Sequence, residues 1–153
     1  MTIELPKTMH AIVLTGHGGL DKLVFHNNWP TPVPKVDDVL IRVGACGLNN
    51  TDVNTRSAWY SKGNMEATTG DALAGAAGED GTWGGTSVSF PRIQGADVAG
   101  IVVAVGQQAD AVLIGQRVLV DGWLRDWSDP MNLDKTSYFG SECDGGYAEY
   151  IKV

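Results

Sequence analysis

The chain has 153 residues, of which 43% are hydrophobic and 19% charged, a composition that fits one globular domain with a substantial core. Its formal net charge is −7, and its 11 lysines and arginines are spread along the sequence, which argues against a nucleic-acid partner. No apolar run reaches the roughly 18 residues of a membrane-spanning helix. The first residues also lack the features of a signal peptide. These features predict a cytoplasmic protein with no membrane partner.

Short apolar and β-branched runs, separated by glycine-rich turns, predict a mainly β fold of the α+β type with few short helices. The first of these runs is followed by the segment 16–21, Gly-His-Gly-Gly-Leu-Asp, which predicts a hairpin turn. The predicted strands cover residues 10–15, 22–25, 39–43, 101–105, 117–120 and 148–153.

One helix stands out between the third and fourth predicted strands. It begins at one of residues 49–51, Asn-Asn-Thr, which are all good N-caps, and runs through Arg56 towards Tyr60. Residues 61–87 are rich in Gly, Ala, Thr and acids and carry no strong period. They predict a long surface loop or mobile flap.

The most informative stretch spans residues 93–106, Ile-Gln-Gly-Ala-Asp-Val-Ala-Gly followed by Ile-Val-Val-Ala-Val-Gly. It resembles the zinc alcohol dehydrogenases of the medium-chain dehydrogenase/reductase superfamily, in which this stretch reads Gly-His-Glu-x-x-Gly and the His binds the catalytic zinc. Here that His is Ala96, and the neighbouring Glu is Asp97. Further segments that match the family in order are 9–19, 29–34, 45–52, 115–120 and 145–150.

The resemblance covers nearly the whole chain and implies a fold. It predicts that residues 1–153 form the catalytic domain of an alcohol dehydrogenase or quinone oxidoreductase-like enzyme. In this superfamily that domain is a GroES-like, partly open β-barrel. Members that transfer hydride carry a Rossmann cofactor domain after the barrel, and segment 16–21 matches only the first two glycines of the dinucleotide fingerprint. We therefore expect the Rossmann domain to be absent from this chain.

The residue types at the zinc positions depart from the family pattern. In zinc-dependent relatives the first catalytic ligand is the second Cys of Cys-Gly-x-Cys, and that place holds Asn49. An amide and the methyl group of Ala96 cannot replace a thiolate and an imidazole as zinc ligands. Cys46 and Cys143 each stand alone, so they predict reduced thiols and no structural zinc lobe. The sequence thus predicts no metal site and no zinc cofactor.

Asn49 is also similar to what zinc-free quinone oxidoreductase-like members carry, in the pattern Gly-Leu-Asn followed by an acid three residues on. The resemblance implies an NAD(P)H-dependent oxidoreductase whose small-molecule substrates are quinones or α,β-unsaturated carbonyls. Hydrogen-bond donors would stabilise the enolate that forms when hydride adds to the β-carbon. The resemblance further implies that Asn49 and Tyr60 line the nicotinamide and substrate cleft. Thr51 matches the hydroxyl that relays protons in zinc relatives.

The same residues also have plain structural interpretations. Asn49 and Thr51 suit helix caps, and Tyr60 suits a loop anchor. Asp52 and Arg56 are spaced for an i, i+4 ion pair.

Asp97 and four tryptophans also have structural interpretations. Asp97 is expected to accept backbone hydrogen bonds within its glycine-flanked turn. The tryptophans that flank the long loops either shape an apolar substrate pocket or pack the loops. They are Trp59, Trp83, Trp123 and Trp127.

Two other functions stay open at this stage, a zinc-type alcohol dehydrogenase relative and a non-enzymatic GroES-like binding module. A co-chaperonin-like module has no reason to carry the signatures around residues 49–60 and 95–106, so the enzyme is preferred. Without a Rossmann domain the chain alone is expected to be inactive. It is also expected to expose the apolar face that the missing domain would cover, and a homodimer is one way to cover that face.

Overall fold

The computed structural model describes residues 4–59, 88–132 and 135–153. Over these residues the chain is mostly strands with a single α-helix, which confirms the predicted fold class. The elements in chain order are β1 (Thr8–Leu14), β2 (Leu23–Pro30), β3 (Val39–Cys46), α1 (Asn50–Arg56), β4 (Arg92–Ile93), β5 (Val98–Val105), β6 (Arg117–Leu119), β7 (Trp123–Leu124), β8 (Ser137–Tyr138) and β9 (Tyr150–Lys152). Two short 3-10 turns cover Leu20–Lys22 and Ala111–Leu113.

The strands form three antiparallel sheets, with the orders β2-β1-β4, β6-β5-β3-β9 and β7-β8. The segment before β9 joins the two larger sheets. The amide of Ile12 in β1 donates to the carbonyl of Tyr147 at 2.8 Å, and the amide of Val43 in β3 donates to the carbonyl of Glu149 at 2.8 Å. The two larger sheets are therefore hydrogen-bonded to the same segment, as expected for a partly open GroES-like barrel.

Buried apolar side chains form two clusters, one on each of the two larger sheets. On β1, exposed and buried residues alternate from Thr8 onwards, as expected for a strand with one face on the core. The larger cluster consists of Ile41, Val98, Val102, Phe139 and Ile151, and the second of Met9, Ala11, Val13 and Ile93. Burying each large side chain of this kind stabilises the fold by about 1.5–3 kcal/mol.

The longer elements match the sequence predictions, and the differences have local reasons. β1 and β2 form the predicted hairpin, with Leu14 opposite Leu23. β2 continues to Pro30 instead of ending at residue 25, because it is an edge strand, where a proline is tolerated. The strands β4, β7 and β8 were not predicted. Each has two residues, which is too short for a period-2 pattern to show.

Part of the prediction lies outside the described residues. This concerns Tyr60 and the predicted loop over residues 61–87, for which the expectations stay predictions. In the described ranges, no helix has the length and apolar character needed to cross a membrane.

Candidate functional site

Helix α1 begins with a reciprocal capping box. The side-chain oxygen of Asn49, the N-cap residue, accepts a hydrogen bond from the Thr51 amide at 3.2 Å. The Asp52 carboxylate accepts one from the Asn49 amide at 2.9 Å. Such caps stabilise a helix by about 1 kcal/mol. The capping role expected for Asn49 is confirmed, whereas Thr51 is not the cap because it lies inside the helix.

Asp52 connects helix α1 by hydrogen bonds to two distant segments of the same chain. Its Oδ1 accepts a hydrogen bond from the Gly95 amide at 3.1 Å, and its Oδ2 accepts one from the Tyr147 hydroxyl at 2.7 Å. The predicted ion pair between Asp52 and Arg56 is wrong, because the carboxylate turns inward to these donors. The Arg56 guanidinium instead donates to the carbonyl of Gly18.

A glycine allows the 95–97 segment to lie close to Cys46, the last residue of β3. Gly95 has a φ of +98°, and a Cβ there would meet the Cys46 sulfur at 2.6 Å. Next to it, Asp97 accepts a hydrogen bond from the Asn49 side-chain amide at 3.3 Å. The expectation that backbone amides bind the Asp97 carboxylate is therefore wrong, because its described partner is a side chain. Asn49, Ala96 and Asp97 thus meet at one place.

These residues line a cleft of about 390 Å³, a size typical of small-molecule sites. Aromatic residues from the β7–β8 hairpin and the segment after it form a wall, in which the rings of Trp123 and Tyr138 lie 4.3 Å apart. The full lining is Asn49, Thr51, Asp52, Thr55, Ala96, Asp97, Val120, Asp121, Gly122, Trp123, Tyr138, Phe139, Gly140 and Ser141.

The cleft is acidic over its described lining, which contains three aspartates and no Lys, Arg or His. The Trp123 amide and the Arg125 guanidinium, at 3.1 and 2.9 Å, hold the pKa of Asp121 below its usual value. Burial raises the pKa of Tyr138 to about 12, and the nearby Glu142 carboxylate adds to the shift. The Tyr138 phenol is therefore neutral at pH 7.

The thiols near the site are not poised as nucleophiles. Burial, with the Asp52 and Asp97 carboxylates, raises the pKa of Cys46 to about 11. Burial also raises the pKa of Cys143 to about 11. A thiol is reactive as its thiolate, so both groups are unreactive near neutral pH.

The donor set at the family's zinc position does not fit zinc. The groups that meet there are the Asn49 amide, the Ala96 methyl and the Asp97 carboxylate, without the thiolate and imidazole that zinc prefers. No group of at least three His, Cys, Asp or Glu side chains suited to a metal ion occurs among the described residues.

The structure brings two of the three predicted site residues together. Asn49 and Thr51 both line the cleft, and Tyr60 lies outside the described residues. Of the tryptophans, Trp123 lines the cleft, while Trp127 is 79% exposed. Sequence reasoning missed Tyr138 and Ser141. No local signal marks them, because the pairing of β7 with β8 places them at the cleft.

Comparisons with known proteins agree with this architecture. A family model described as "Alcohol dehydrogenase GroES-like domain" matches residues 35–153. Human "Quinone oxidoreductase" is 29% identical over 144 residues, which cover 94% of this chain and 31% of the human protein. The "NADPH-dependent alkenal/one oxidoreductase, chloroplastic" of Arabidopsis thaliana is 29% identical over 150 residues, which cover 98% of this chain and 30% of that protein.

A solved structure is similar to this chain over nearly its whole length. The crystal structure of a provisionally assigned alcohol dehydrogenase from Sinorhizobium meliloti 1021 superposes with a TM-score of 0.80 at 42% identity, covering 97% of this chain and 38% of that one. The chain thus spans about 31% of the length of human quinone oxidoreductase. It belongs to the alcohol dehydrogenase GroES-like domain family, within the medium-chain dehydrogenase/reductase superfamily.

Proposed function

We propose that this chain is the substrate-side catalytic domain of an NAD(P)H-dependent oxidoreductase that reduces quinones or α,β-unsaturated carbonyls without zinc. The observation that carries the proposal is that the Asn49 amide and Ala96 line the same aromatic-walled cleft. The names of two relatives, a quinone oxidoreductase and an NADPH-dependent alkenal/one oxidoreductase, support it. The proposal includes a separate Rossmann domain that holds the dinucleotide.

Asn49 is the proposed hydrogen-bond donor to the substrate. A carboxamide has two N–H groups and an oxygen with two lone pairs. The described contacts use the oxygen for the Thr51 amide and one N–H for Asp97, which leaves a second N–H for a carbonyl oxygen. NAD(P)H supplies the hydride when bound. As the substrate oxygen gains negative charge, the Asn49 N–H stabilises it, and such a donor contributes about 10²–10³ in rate.

Thr51 and Tyr60 complete the proposed catalytic set. Thr51 also lines the cleft, and its hydroxyl is the proposed relay for the proton that the enolate takes up. Tyr60, which lies outside the described residues, is proposed to line the nicotinamide and substrate cleft together with Asn49. The Tyr60→Phe variant tests that assignment by the same turnover measurement as below.

The shape and charge of the cleft favour planar, uncharged substrates. The Trp123 and Tyr138 rings, whose planes are tilted by 52° to each other, offer aromatic faces against which a quinone or enone can pack. Asp97 and Asp121 lie at the same cleft, and their charges oppose substrates that carry a carboxylate or phosphate. We therefore expect neutral quinones to be preferred over anionic ones.

The experiment uses the gene product that includes the proposed Rossmann domain. Oxidation of NADPH and NADH is measured with 1,4-naphthoquinone and with but-3-en-2-one. Reduction of NAD⁺ by ethanol tests the zinc-type alternative. The Asn49→Ser variant keeps a capping oxygen but loses the amide donor, so kcat is expected to fall by about 10²-fold or more. Asn28→Ser, at an exposed position of β2, is the matched control. Unchanged kinetics of Asn49→Ser would mean that Asn49 only caps the helix.

A further inference from the structure

We propose that the Ser141 hydroxyl is a substrate-binding group that donates a hydrogen bond to a carbonyl oxygen of a neutral quinone. The inference rests on the proposed function, because it assigns a ligand class to the same cleft. Ser141 belongs to the lining of that cleft. It follows the aromatic wall directly in the sequence, after Tyr138, Phe139 and Gly140.

The observation that points to a ligand is an unsatisfied hydroxyl. Ser141 is 8% exposed, and its Oγ is shielded from solvent without a hydrogen-bond partner in the described part of the chain. Buried hydroxyls are almost always paired, because leaving one unpaired costs free energy. Ser57 follows that rule, since it is 2% exposed and its hydroxyl donates to the Asn54 carbonyl at 3.2 Å.

The backbone that carries Ser141 is held in place on several sides. Gly140 has a φ of +77°, and a Cβ there would meet the Gly95 nitrogen at 2.6 Å. The Phe139 amide donates to the Gly122 carbonyl at 3.0 Å, and the Ser141 amide donates to the Tyr138 carbonyl at 3.3 Å. The hydroxyl therefore sits at a position fixed by its surroundings, as a preorganised binding group requires.

The chemistry of the cleft identifies the missing partner as a neutral acceptor. The Asp52 carboxylate, which lines the same cleft, already accepts hydrogen bonds on both of its oxygens. A hydroxyl without a partner takes an oxygen acceptor, and the Asp97 and Asp121 carboxylates at the cleft disfavour an anionic one. A carbonyl group on a planar ring meets both requirements and packs against the aromatic wall.

The test separates hydrogen bonding from shape by a pair of ligands. Affinities of 1,4-naphthoquinone and of naphthalene, which has the same rings without oxygens, are measured by titration calorimetry on the gene product that includes the proposed Rossmann domain. Ser141→Ala is expected to weaken naphthoquinone binding by about 5–10-fold, the equivalent of one ordinary hydrogen bond. The same variant should leave naphthalene binding unchanged and should not lower the Tm of the ligand-free protein, because it removes a buried hydroxyl that has no partner. The naphthoquinone affinity of Ser141→Cys, which has a weaker donor of similar size, is expected to lie between those of the wild type and of Ser141→Ala.

Ser57→Ala is the matched control, because it removes a buried serine hydroxyl that has a partner. It should lower the Tm and leave both affinities unchanged. Equal losses for naphthoquinone and naphthalene in Ser141→Ala, or a lower Tm without a change in the affinity ratio, would overturn the inference. A wild-type protein that binds naphthoquinone but reduces no quinone or enone would refute the proposed function while Ser141 keeps its role. Absence of wild-type binding would refute both.

Discussion

Replacing Asp52 with asparagine tests how the helix at the cleft is held. The carboxylate accepts three hydrogen bonds, from the Asn49 amide at 2.9 Å, the Tyr147 hydroxyl at 2.7 Å and the Gly95 amide at 3.1 Å. The first two end on the same oxygen, Oδ2. An asparagine keeps one carbonyl oxygen but places a donor where the second oxygen was. At least one of the three donors therefore loses its partner, and two do so if the amide keeps Gly95.

The size of the loss follows from the kind of hydrogen bond. Bonds to a charged acceptor contribute about 1.5–3 kcal/mol each. Asp52 is half-buried, so water replaces part of the loss, and we expect Asp52→Asn to lower the free energy of unfolding by about 2–4 kcal/mol. For a domain of this size, 1 kcal/mol corresponds to about 2–4 °C in Tm. A decrease of about 5–15 °C follows.

The assay is urea unfolding together with a thermal melt, with two comparison variants. Tyr147→Phe removes only one of the three donors and should show a smaller loss. Asp21→Asn is the matched control, because the Asp21 side chain is 70% exposed and contacts only Lys22, at 3.2 Å, among the described ion pairs. It should change stability by less than about 0.5 kcal/mol. If Asp52→Asn melts at the same temperature as Asp21→Asn, Asp52 does not hold the helix.

Two other predictions concern zinc and pH. Because Asn49 and Ala96 stand where the family's zinc ligands lie, elemental analysis should find no stoichiometric zinc, and one tightly bound zinc per chain would contradict the zinc-free assignment. Burial raises the pKa of Cys46 and Cys143 from 9.0 to about 11, so their contribution to stability is complete below pH 9.0 and is lost as the pH rises to about 11. The urea midpoint of unfolding should therefore decrease over that pH range. In a variant with both thiols changed to alanine, the midpoint should decrease less.

Local sequence signals predicted the elements that depend on neighbours in the chain. The hairpin between β1 and β2 follows from its glycine turn, and the start of α1 follows, to within three residues, from the N-cap preferences of residues 49–51. The partner of Asp52 could not be predicted this way. The i, i+4 rule points to Arg56 on the helix surface, whereas Gly95 and Tyr147, more than 40 residues away, take the carboxylate. Hydrogen bonds from inward-facing amide and hydroxyl donors to a carboxylate contribute more to folding stability than an exposed ion pair does.

The aromatic side of the cleft was missed for a related reason. β7 and β8 have two residues each and pair across the segment between residues 124 and 137. Only this pairing brings Tyr138 next to Trp123, and Ser141 with it, to the helix that carries Asn49. Contacts of this length depend on the packed fold, and no periodicity in the sequence encodes them. The family resemblance identified Asn49 because its pattern is contiguous.

The two interpretations of Asn49, helix cap and ligand donor, are compatible because they use different atoms. The cap uses the side-chain oxygen, which accepts from the Thr51 amide, while the nitrogen donates to Asp97 and keeps a second N–H. Serine or aspartate would cap the helix equally well. Serine offers no amide donor, and aspartate would place a second carboxylate within hydrogen-bond distance of Asp97. Asn49→Ala removes both functions and Asn49→Ser only one. The difference between these variants in Tm therefore measures the cap, and the turnover lost in Asn49→Ser measures the donor.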